Sequence, residues 1–441
     1  MRWTERIITA EDAARKIQSG YRVFITGNCS TPLTFMDALI ARHQQLREVE
    51  VVNLLDVSPK EYITPDIAEH IRVNNLFIGP NQRKAVNQGL ADFTPIFLSE
   101  VPRLFLSGRY VLDVAVIHVS PPDAHGYCSY GVEVGVTKSA SQTAGLVIAE
   151  VNPNMPRTLG DSFIHIDQID YFIDVNYQLP EIVPAPLTDV QCQIARHIAE
   201  YIPDGATLQT GIGGIPDAVL RHLSNHRNLG VHTELFSDGV MDMIEAGVIT
   251  NARKSVHPGK VVAGFVLGSH KLFSYIHDNP IFELHPTEYV NNPFVIAQND
   301  RMVSINSAIE VDITGQVCAD SIGTRFYSGV GGQLDFVRGA ARSTGGMSFI
   351  ALPSTARDNT VSRIVPVLNP GAGVTTTRND VRMIATEYGV ADLWGLSIRE
   401  RVYALVNIAH PDFREDLLRF AREQNYIGAV RTLSAAASKQ S

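Results

Sequence analysis

Residues 204–220, DGATLQTGIGGIPDAVL, contain a pattern typical of an α/β fold. A short strand-like run leads into Gly211, and an apolar helical stretch begins near Pro216 after four intervening residues. Residues 19–39, SGYRVFITGNCSTPLTFMDAL, repeat this order of strand, glycine, four residues, proline and helix. In both places the pattern predicts a strand that ends in a tight turn before a helix. The repeat indicates two related α/β units in one chain.

Short apolar runs alternate with helical stretches along the rest of the chain. Strands that alternate with helices favour parallel sheets with helices on their faces. The run VLDVAVIHV at residues 111–119 is almost continuously apolar, as in a strand buried on both faces. The predicted helices cover 32–42 and 189–201, and the predicted strands cover 22–26, 49–55, 111–119, 146–151, 206–210, 261–267, 294–297, 302–306, 349–352 and 381–385.

Three prolines within residues 179–186, LPEIVPAP, are typical of a linker between domains. A chain of 441 residues is also longer than one usual domain of about 100–200 residues. We therefore predict one open α/β domain over 1–182 and a second over 187–431. The small polar residues 432–441 predict a disordered tail.

Composition excludes several classes of function. The net charge of −9, with acidic and basic residues interspersed, argues against nucleic acid as a partner. No apolar run approaches the roughly 20 residues that span a bilayer, and no secretory signal begins the chain, so we expect no membrane partner. The four cysteines have neither zinc spacing nor a C-x-x-C pair, which favours a reduced, cytoplasmic protein. The histidines at 257, 270, 277 and 285 also lack metal-ligand spacing, so no metal is predicted.

The first candidate site is the glycine loop Gly211–Ile215, which comprises Gly211, Ile212, Gly213, Gly214 and Ile215. Its exposed N–H groups and the helix N-terminus behind it would favour a phosphate or carboxylate. A dinucleotide fingerprint is an alternative, since Glu234 has nearly the required spacing. That fingerprint needs a glycine where Pro216 stands, and a plain tight turn also stays open.

The second candidate is Glu234 in the segment HTELFSDG, residues 232–239, at the end of an expected strand. Ligands bind at the carboxyl ends of strands in open α/β sheets. A carboxylate there is a possible covalent nucleophile that would attack a thioester and preserve its energy as a glutamyl thioester. A solvated glutamate or a helix cap is the alternative.

The third candidate is the loop GVGGQLDF, residues 329–336, before a predicted helix. The backbone N–H groups of Gly331, Gly332 and Gln333 would stabilise an oxyanion as a carbonyl becomes tetrahedral. A flexible turn is the alternative interpretation. No G-x-S-x-G elbow surrounds Ser354, which argues against a serine hydrolase.

Together the segments GIGGIPDAVL, HTELFSDG, YSGVGGQLDF and SPPDAHGYCSYG resemble the acetyl-CoA hydrolase/transferase family. The resemblance is to its branch of 4-hydroxybutyrate and butyryl-CoA:acetate CoA-transferases, and it covers nearly the whole chain. It implies two CoA-transferase-type α/β domains with the active site between them. It also implies Glu234 as covalent nucleophile, with CoA bound by Gly211–Ile215 and by Gly331, Gly332 and Gln333.

The resemblance further implies a coenzyme A thioester as substrate, no tightly bound cofactor, and a homodimer or homotetramer. Small carboxylic acids would be its other substrates, such as 4-hydroxybutyrate, butyrate, acetate or a dicarboxylate. Met347 stands where relatives are expected to have a lysine, which puts one phosphate contact in doubt. An acyl-CoA hydrolase using the same Glu234, a nicotinamide-dependent dehydrogenase and a non-catalytic CoA-binding module are the competing hypotheses.

Overall fold

The first half of the chain folds around a parallel sheet. The computed structural model describes residues 3–58, 60, 62–183, 185–211 and 213–428. The strands of the first half are β1 (Arg22–Ile25), β2 (Val49–Leu54), β3 (Ile71–Phe77), β4 (Asp92–Phe93), β5 (Val114–Val119), β6 (Tyr127–Ser129), β7 (Leu146–Val151), β8 (Phe163–His165) and β9 (Tyr171–Asp174). Its helices are α1 (Ala10–Arg15), α2 (Leu33–Ala41), α3 (Pro65–Ala68), α4 (Arg83–Asn87), α5 (Val101–Leu106) and α6 (Thr137–Thr143).

The second half folds around another, mostly parallel sheet. Its strands are β10 (Thr207–Thr210), β11 (Gly230–Phe236), β12 (Val261–Val266), β13 (Phe282–Leu284), β14 (Met302–Ser307), β15 (Glu310–Asp312), β16 (Val317–Cys318), β17 (Ser321–Ile322), β18 (Arg325–Phe326), β19 (Met347–Ala351), β20 (Thr355–Ala356), β21 (Val361–Ser362), β22 (Ile364–Val365), β23 (Met383–Thr386) and β24 (Gly389–Asp392). Its helices are α7 (Asp189–Ala199), α8 (Gly214–His222), α9 (Asp238–Glu245), α10 (His270–Ile276), α11 (Thr287–Val290), α12 (Pro293–Ile296), α13 (Gln333–Arg342), α14 (Ile398–Ile408) and α15 (Pro411–Glu423). Single 3-10 turns cover Trp3–Arg6, His43–Gln45, Leu98–Glu100 and Ile166–Gln168.

The two sheets share one strand order. The first runs β4-β3-β2-β1-β5-β7-β9 and the second runs β13-β12-β11-β10-β14-β19-β23-β24. In each, three strands extend from the first strand to one side and the later strands extend to the other. Only β24 pairs antiparallel within these two sheets, as far as the described residues show. The prediction of two related open α/β domains is therefore confirmed.

The strands follow the apolar runs closely. All six residues of β5 are buried, as the continuous apolar run predicts for a central parallel strand. The prediction of a strand over 294–297 is wrong, because a helical turn, α12, occupies this segment. The Asn292 side chain accepts the Phe294 N–H at 2.9 Å, and Pro293 takes the first helical position. Both features start helices, and they outweigh the β-forming residues in so short a segment.

The domain boundaries at residues 182 and 187 stay a prediction. Residues 429–441, which include the predicted tail and the end of the second predicted domain, lie outside the described residues. No helix in the described part of the chain is both long and apolar enough to cross a membrane.

Backbone hydrogen bonds join the two halves of the chain. The Ile78 N–H donates to the Ser328 carbonyl at 3.4 Å, and the Leu98 N–H donates to the Gly331 carbonyl at 3.0 Å. On another side, the Gly135 N–H donates to the Gly264 carbonyl at 3.1 Å. These contacts hold the two halves of the chain against each other.

Candidate active site

A cavity of about 170 Å³ lies between the two halves, at the place where the second sheet reverses its strand order. The carboxyl ends of β10 and β14 flank this place, which is where open α/β sheets bind ligands. The first half contributes an apolar wall. The cavity is lined by Leu54, Leu55, Phe77, Leu98, Gln209, Thr210, Gly211, Glu234, Leu235, Phe265, Asn306, Ser307, Ala319 and residues 328–333.

Glu234 lies on β11 and faces this cavity. One carboxylate oxygen, Oε2, accepts a hydrogen bond from Asn291 Nδ2 at 2.8 Å. The backbone of Gly332 lies close to the same carboxylate, and its N–H lowers the pKa of Glu234. A Cβ on Gly332 would lie 2.0 Å from Glu234 Oε2 and 2.1 Å from Asn291 Nδ2, so only glycine fits there. Gly332 precedes α13, whose positive N-terminal end favours a negative charge at this point.

Burial raises the pKa of Glu234 to about 7. The hydrogen bond from Asn291 lowers this pKa, the charge of Asp335 raises it, and the Gly332 N–H lowers it. Desolvation therefore exceeds the effects of Asn291 and Gly332, which favour the carboxylate. Such a carboxylate is poorly solvated, and it is more basic than an exposed glutamate.

A second carboxylate, Asp335, lies behind Asn291. The Asn291 side chain also lowers the pKa of Asp335, so it influences both acids. Ser99 of the first half donates its hydroxyl to Asp335 Oδ1 at 2.8 Å and its N–H to Oδ2 at 3.2 Å. Burial raises the pKa of Asp335 to about 6, while Ser99 and Asn291 lower it. The first half of the chain thus contacts the group that holds Glu234.

The structure brings together only part of the predicted site. Gly331, Gly332 and Gln333 line the cavity beside Glu234, together with Gly211. The N–H of Gln333 donates to the Val330 carbonyl at 3.3 Å, whereas the Gly332 N–H lowers the pKa of Glu234.

Three other residues of the first glycine loop, Gly213, Gly214 and Ile215, are not part of the cavity wall. Gly213 caps α8, while Gly214 and Ile215 form its first turn. Gly214 packs against Gln191 of α7, whose Nε2 would be 2.2 Å from an added Cβ. Ile212 lies outside the described residues. CoA binding by this loop stays a prediction.

His232, two residues before Glu234, is not placed as a base. Its Nε2 pairs with the Val290 carbonyl at 2.9 Å, and the ring is fully buried. Burial lowers the pKa of His232 to about 3, so the imidazole is neutral near pH 7. Among the lining residues that the structure describes, Glu234 is the only ionisable one.

Sequence reasoning missed Asn291, Asp335, Ser99 and another buried acid, Glu133. Glu133 accepts a hydrogen bond from Asn28 Nδ2, and both residues belong to the first half. Burial raises the pKa of Glu133 to about 8, the Asn28 bond lowers it, and the charge of Glu234 raises it. No motif marks Asn291, Ser99 or Glu133, because each of them reaches Glu234 or its neighbours through a long-range contact. Asp335 lies within the segment GVGGQLDF, but nothing in the sequence connects it with Asn291.

Comparison with known proteins identifies the class. Family models match the chain as the acetyl-CoA hydrolase/transferase N-terminal domain over residues 1–184 and C-terminal domain over 268–421. The 4-hydroxybutyrate coenzyme A transferase of Clostridium kluyveri is 51% identical over 416 residues, covering 94% of this chain and 97% of that protein. A succinyl-CoA:acetate/propanoyl-CoA:succinate CoA transferase of Fasciola hepatica is 47% identical over 410 residues, covering 92% of this chain and 85% of that one.

A solved structure agrees with these relatives. The 4-hydroxybutyrate CoA-transferase from Porphyromonas gingivalis superposes with a TM-score of 0.83 at 40% identity, covering 96% of this chain and 98% of that chain. Fold and site therefore define an enzyme of the CoA-transferase kind. The chain belongs to the acetyl-CoA hydrolase/transferase family.

Proposed function

We propose that this enzyme exchanges CoA between an acyl-CoA and a small monocarboxylic acid through a glutamyl-CoA thioester on Glu234. One observation carries the proposal. Glu234 is the single ionisable side chain among the described lining residues, and Asn291 and Gly332 aim donors at its carboxylate. A desolvated carboxylate with a pKa of about 7 is a stronger nucleophile than one with an ordinary value.

The proposed reaction has two displacements before its reversal. A Glu234 oxygen attacks the thioester carbonyl, the C–S bond breaks, and an acyl–glutamyl anhydride and CoA thiolate form. The thiolate then attacks the side-chain carbonyl of Glu234, and the first acid leaves as a carboxylate that carries one glutamate oxygen. A second acid reverses both steps and departs as its CoA thioester. The Gly332 N–H supports the negative oxygen in each tetrahedral state.

Transfer is favoured over hydrolysis by the shortage of bases around Glu234. Water must lose a proton as it attacks, whereas a carboxylate acceptor and a CoA thiolate need no base. The neutral His232 faces the Val290 carbonyl, and the described cavity wall offers no second titratable group.

The cavity supports a short acid with one carboxylate. Its described lining includes no lysine or arginine, so a second carboxylate of a bound acid would be buried without a cation. Leu54, Phe77 and Leu98 suit an aliphatic chain, while Gln209 and Asn306 offer amides to a hydroxyl group. Acetate, butyrate and 4-hydroxybutyrate fit these features better than succinate. The relative from Clostridium kluyveri carries the name of a 4-hydroxybutyrate transferase.

Trapping the covalent intermediate tests the mechanism. Purified enzyme would be mixed with acetyl-CoA or butyryl-CoA, quenched with borohydride or hydroxylamine, and mapped by peptide mass spectrometry. We expect modification at Glu234 only when acyl-CoA is present, and none in Glu234→Gln. The exposed Glu245→Gln serves as the matched control and should be trapped like the wild type.

Steady-state assays give the complementary result. The wild type should show ping-pong kinetics with an acceptor acid and only slow CoA release without one. Rapid CoA release without an acceptor would make hydrolysis the function. An unmodified Glu234 in an enzyme that still transfers CoA would refute the covalent route.

A further inference from the structure

We propose that His257, Glu283 and His285 form a binding site for one divalent metal ion of the zinc type. The cluster lies on the edge strand β13 and the loop before β12, and none of its side chains lines the cavity at Glu234. One nitrogen of each histidine and one oxygen of Glu283 lie within 4.8 Å of one another. This proposal does not depend on the proposed function.

The three ligand atoms converge on one point. His257 Nδ1 lies 2.7 Å from Glu283 Oε2, and His285 Nε2 lies 3.5 Å from the same oxygen. Glu283 and His285 are two positions apart, so the alternation of a strand directs both side chains to one side. Ligands about 2.0–2.2 Å from a tetrahedral zinc ion are roughly 3.3–3.6 Å apart. The 3.5 Å pair matches this separation, and the 2.7 Å contact would lengthen as His257 exchanges its hydrogen bond with Glu283 for the ion.

One of the three proposed ligand atoms, His285 Nε2, makes no hydrogen bond in the described part of the chain. This nitrogen is buried, and Glu283 Oε2 contacts it at 3.5 Å without forming a hydrogen bond. A buried imidazole nitrogen without a partner costs free energy, and a metal ion would satisfy it. His257 is held from its other side, since its Nε2 pairs with the Tyr289 hydroxyl at 2.7 Å. Metal-bound histidines commonly have such an outer partner, which sets the ring orientation.

The surrounding charges permit a cation. Lys260 Nζ lies 3.8 Å from Oε1 of Glu283, so it approaches the oxygen that the proposed ion does not use. Lys254 Nζ is held by the carbonyls of Val231 and Lys260, at 2.8 and 2.7 Å. The three ligand side chains are 25%, 23% and 15% exposed, so an ion can enter from solvent while the site stays largely dry. Two imidazoles, one carboxylate and a water molecule are a ligand set that zinc accepts.

A bound ion would connect segments that support Glu234. The ion would join the loop that contains His257 to the strand β13. Through its hydrogen bond with Tyr289, His257 also connects this site to α11, and Tyr289 lies two residues before Asn291. Asn291 is the residue that donates to Glu234. The ion would thus stabilise the segment that carries this donor, without taking part in the reaction.

Metal content and affinity test the proposal directly. Untagged full-length enzyme would be stripped with a chelator, freed of it, and titrated with Zn²⁺ by calorimetry, with metal analysis after gel filtration. We expect one ion per chain, a higher thermal midpoint with zinc, and visible absorption of four-coordinate Co²⁺. Glu283→Gln and His285→Asn should weaken binding by about 100-fold or more, and Tyr289→Phe by about tenfold.

The exposed His277→Asn is the matched control and should bind zinc like the wild type. Chelator-treated variants should unfold at the same temperature as the chelator-treated wild type, which separates lost binding from misfolding. Absence of a stoichiometric ion in the wild type, or equal binding by Glu283→Gln, would overturn the proposal. The cluster would then be an ion-pair network without a metal.

Discussion

At the scale of single residues, the site depends on the balance around one carboxylate. Burial raises the pKa of Glu234, while the donors Asn291 and Gly332 act against burial. The ionised form is the nucleophile in the proposed reaction, so kcat/KM should rise with pH through about 7. The side chains beside Glu234 can be substituted one at a time. The effect of each on the pKa of Glu234 gives the direction in which the pH profile should move.

Removing the amide at position 291 should raise the pKa of Glu234. In Asn291→Ala the carboxylate loses a hydrogen bond that favours its charged form, so the rising limb of kcat/KM moves to higher pH. The rate on the plateau should fall about 100-fold, as for other donors lost from active sites. Initial rates between pH 5.5 and 9 measure both effects. The exposed Gln298→Ala is the control, and an unmoved limb in Asn291→Ala would contradict the assignment.

Neutralising Asp335 should move the rising limb of the kcat/KM profile to lower pH, opposite to the effect of Asn291→Ala. The charge of Asp335 raises the pKa of Glu234, so Asp335→Asn should shift the limb to lower pH. The amide can still accept from Ser99, which preserves most of the local structure. The pH profile and circular dichroism of this variant should be recorded together with those of Asn291→Ala. A shift to higher pH would mean that Asp335 acts only by orienting Asn291.

At the scale of elements, the short helix α12 aligns the segment after Asn291 with α13. Gly339 of α13 lies against Ile296 of α12, where an added Cβ would be 2.4 Å from Ile296 Cγ2. Gly339→Ala should therefore destabilise the enzyme by about 1–3 kcal/mol through overpacking. Ile296→Ala alone should cost about 2–5 kcal/mol through the cavity it leaves. The double variant should lose less than the sum of the two single losses, because the new methyl group enters that cavity. Urea unfolding of the two single variants and the double variant measures the coupling, and additive losses would argue against the contact.

Most elements could be predicted from local sequence, and α12 shows where this fails. The strands β7 and β12 follow apolar runs whose burial decides their conformation. In residues 293–296 the β-forming side chains compete with a capping asparagine and a proline at the first helical position. These two helix-start signals outweigh the β propensity of the segment. The glycine loops before α8 and α13 were predictable because glycine at a strand end indicates a turn.

At the scale of the whole molecule, the active site belongs to both domains. Glu234, Gly331 and Gln333 could be proposed from motifs, since each lies in a distinctive local pattern. Asn291 and Asp335 become neighbours of Glu234 only when β11, α11 and α13 pack together. Ser99 and Glu133 come from the other domain, and a single sequence holds no signal for contacts across that distance. Long-range packing therefore supplied what the local patterns could not.

Glu133 provides a test of this contact between the domains. Its pKa of about 8 lies above the usual value of 4.5, so the folded state keeps a proton that the unfolded chain releases. The free energy of unfolding should fall as pH rises from about 5 to 8 and level off above, with a contribution of a few kcal/mol from Glu133. Glu133→Gln should remove that part of the slope and stabilise the enzyme at pH 9.

The pKa of Glu133 also rises with the charge of Glu234, so Glu234→Gln should reduce the same dependence of the unfolding free energy on pH. Urea unfolding at pH 5, 7 and 9 measures these slopes, with the exposed Glu11→Gln as control. An unchanged slope in Glu133→Gln would mean that this carboxyl is solvated, and that the two domains pack less closely at Glu234 than their backbone hydrogen bonds indicate.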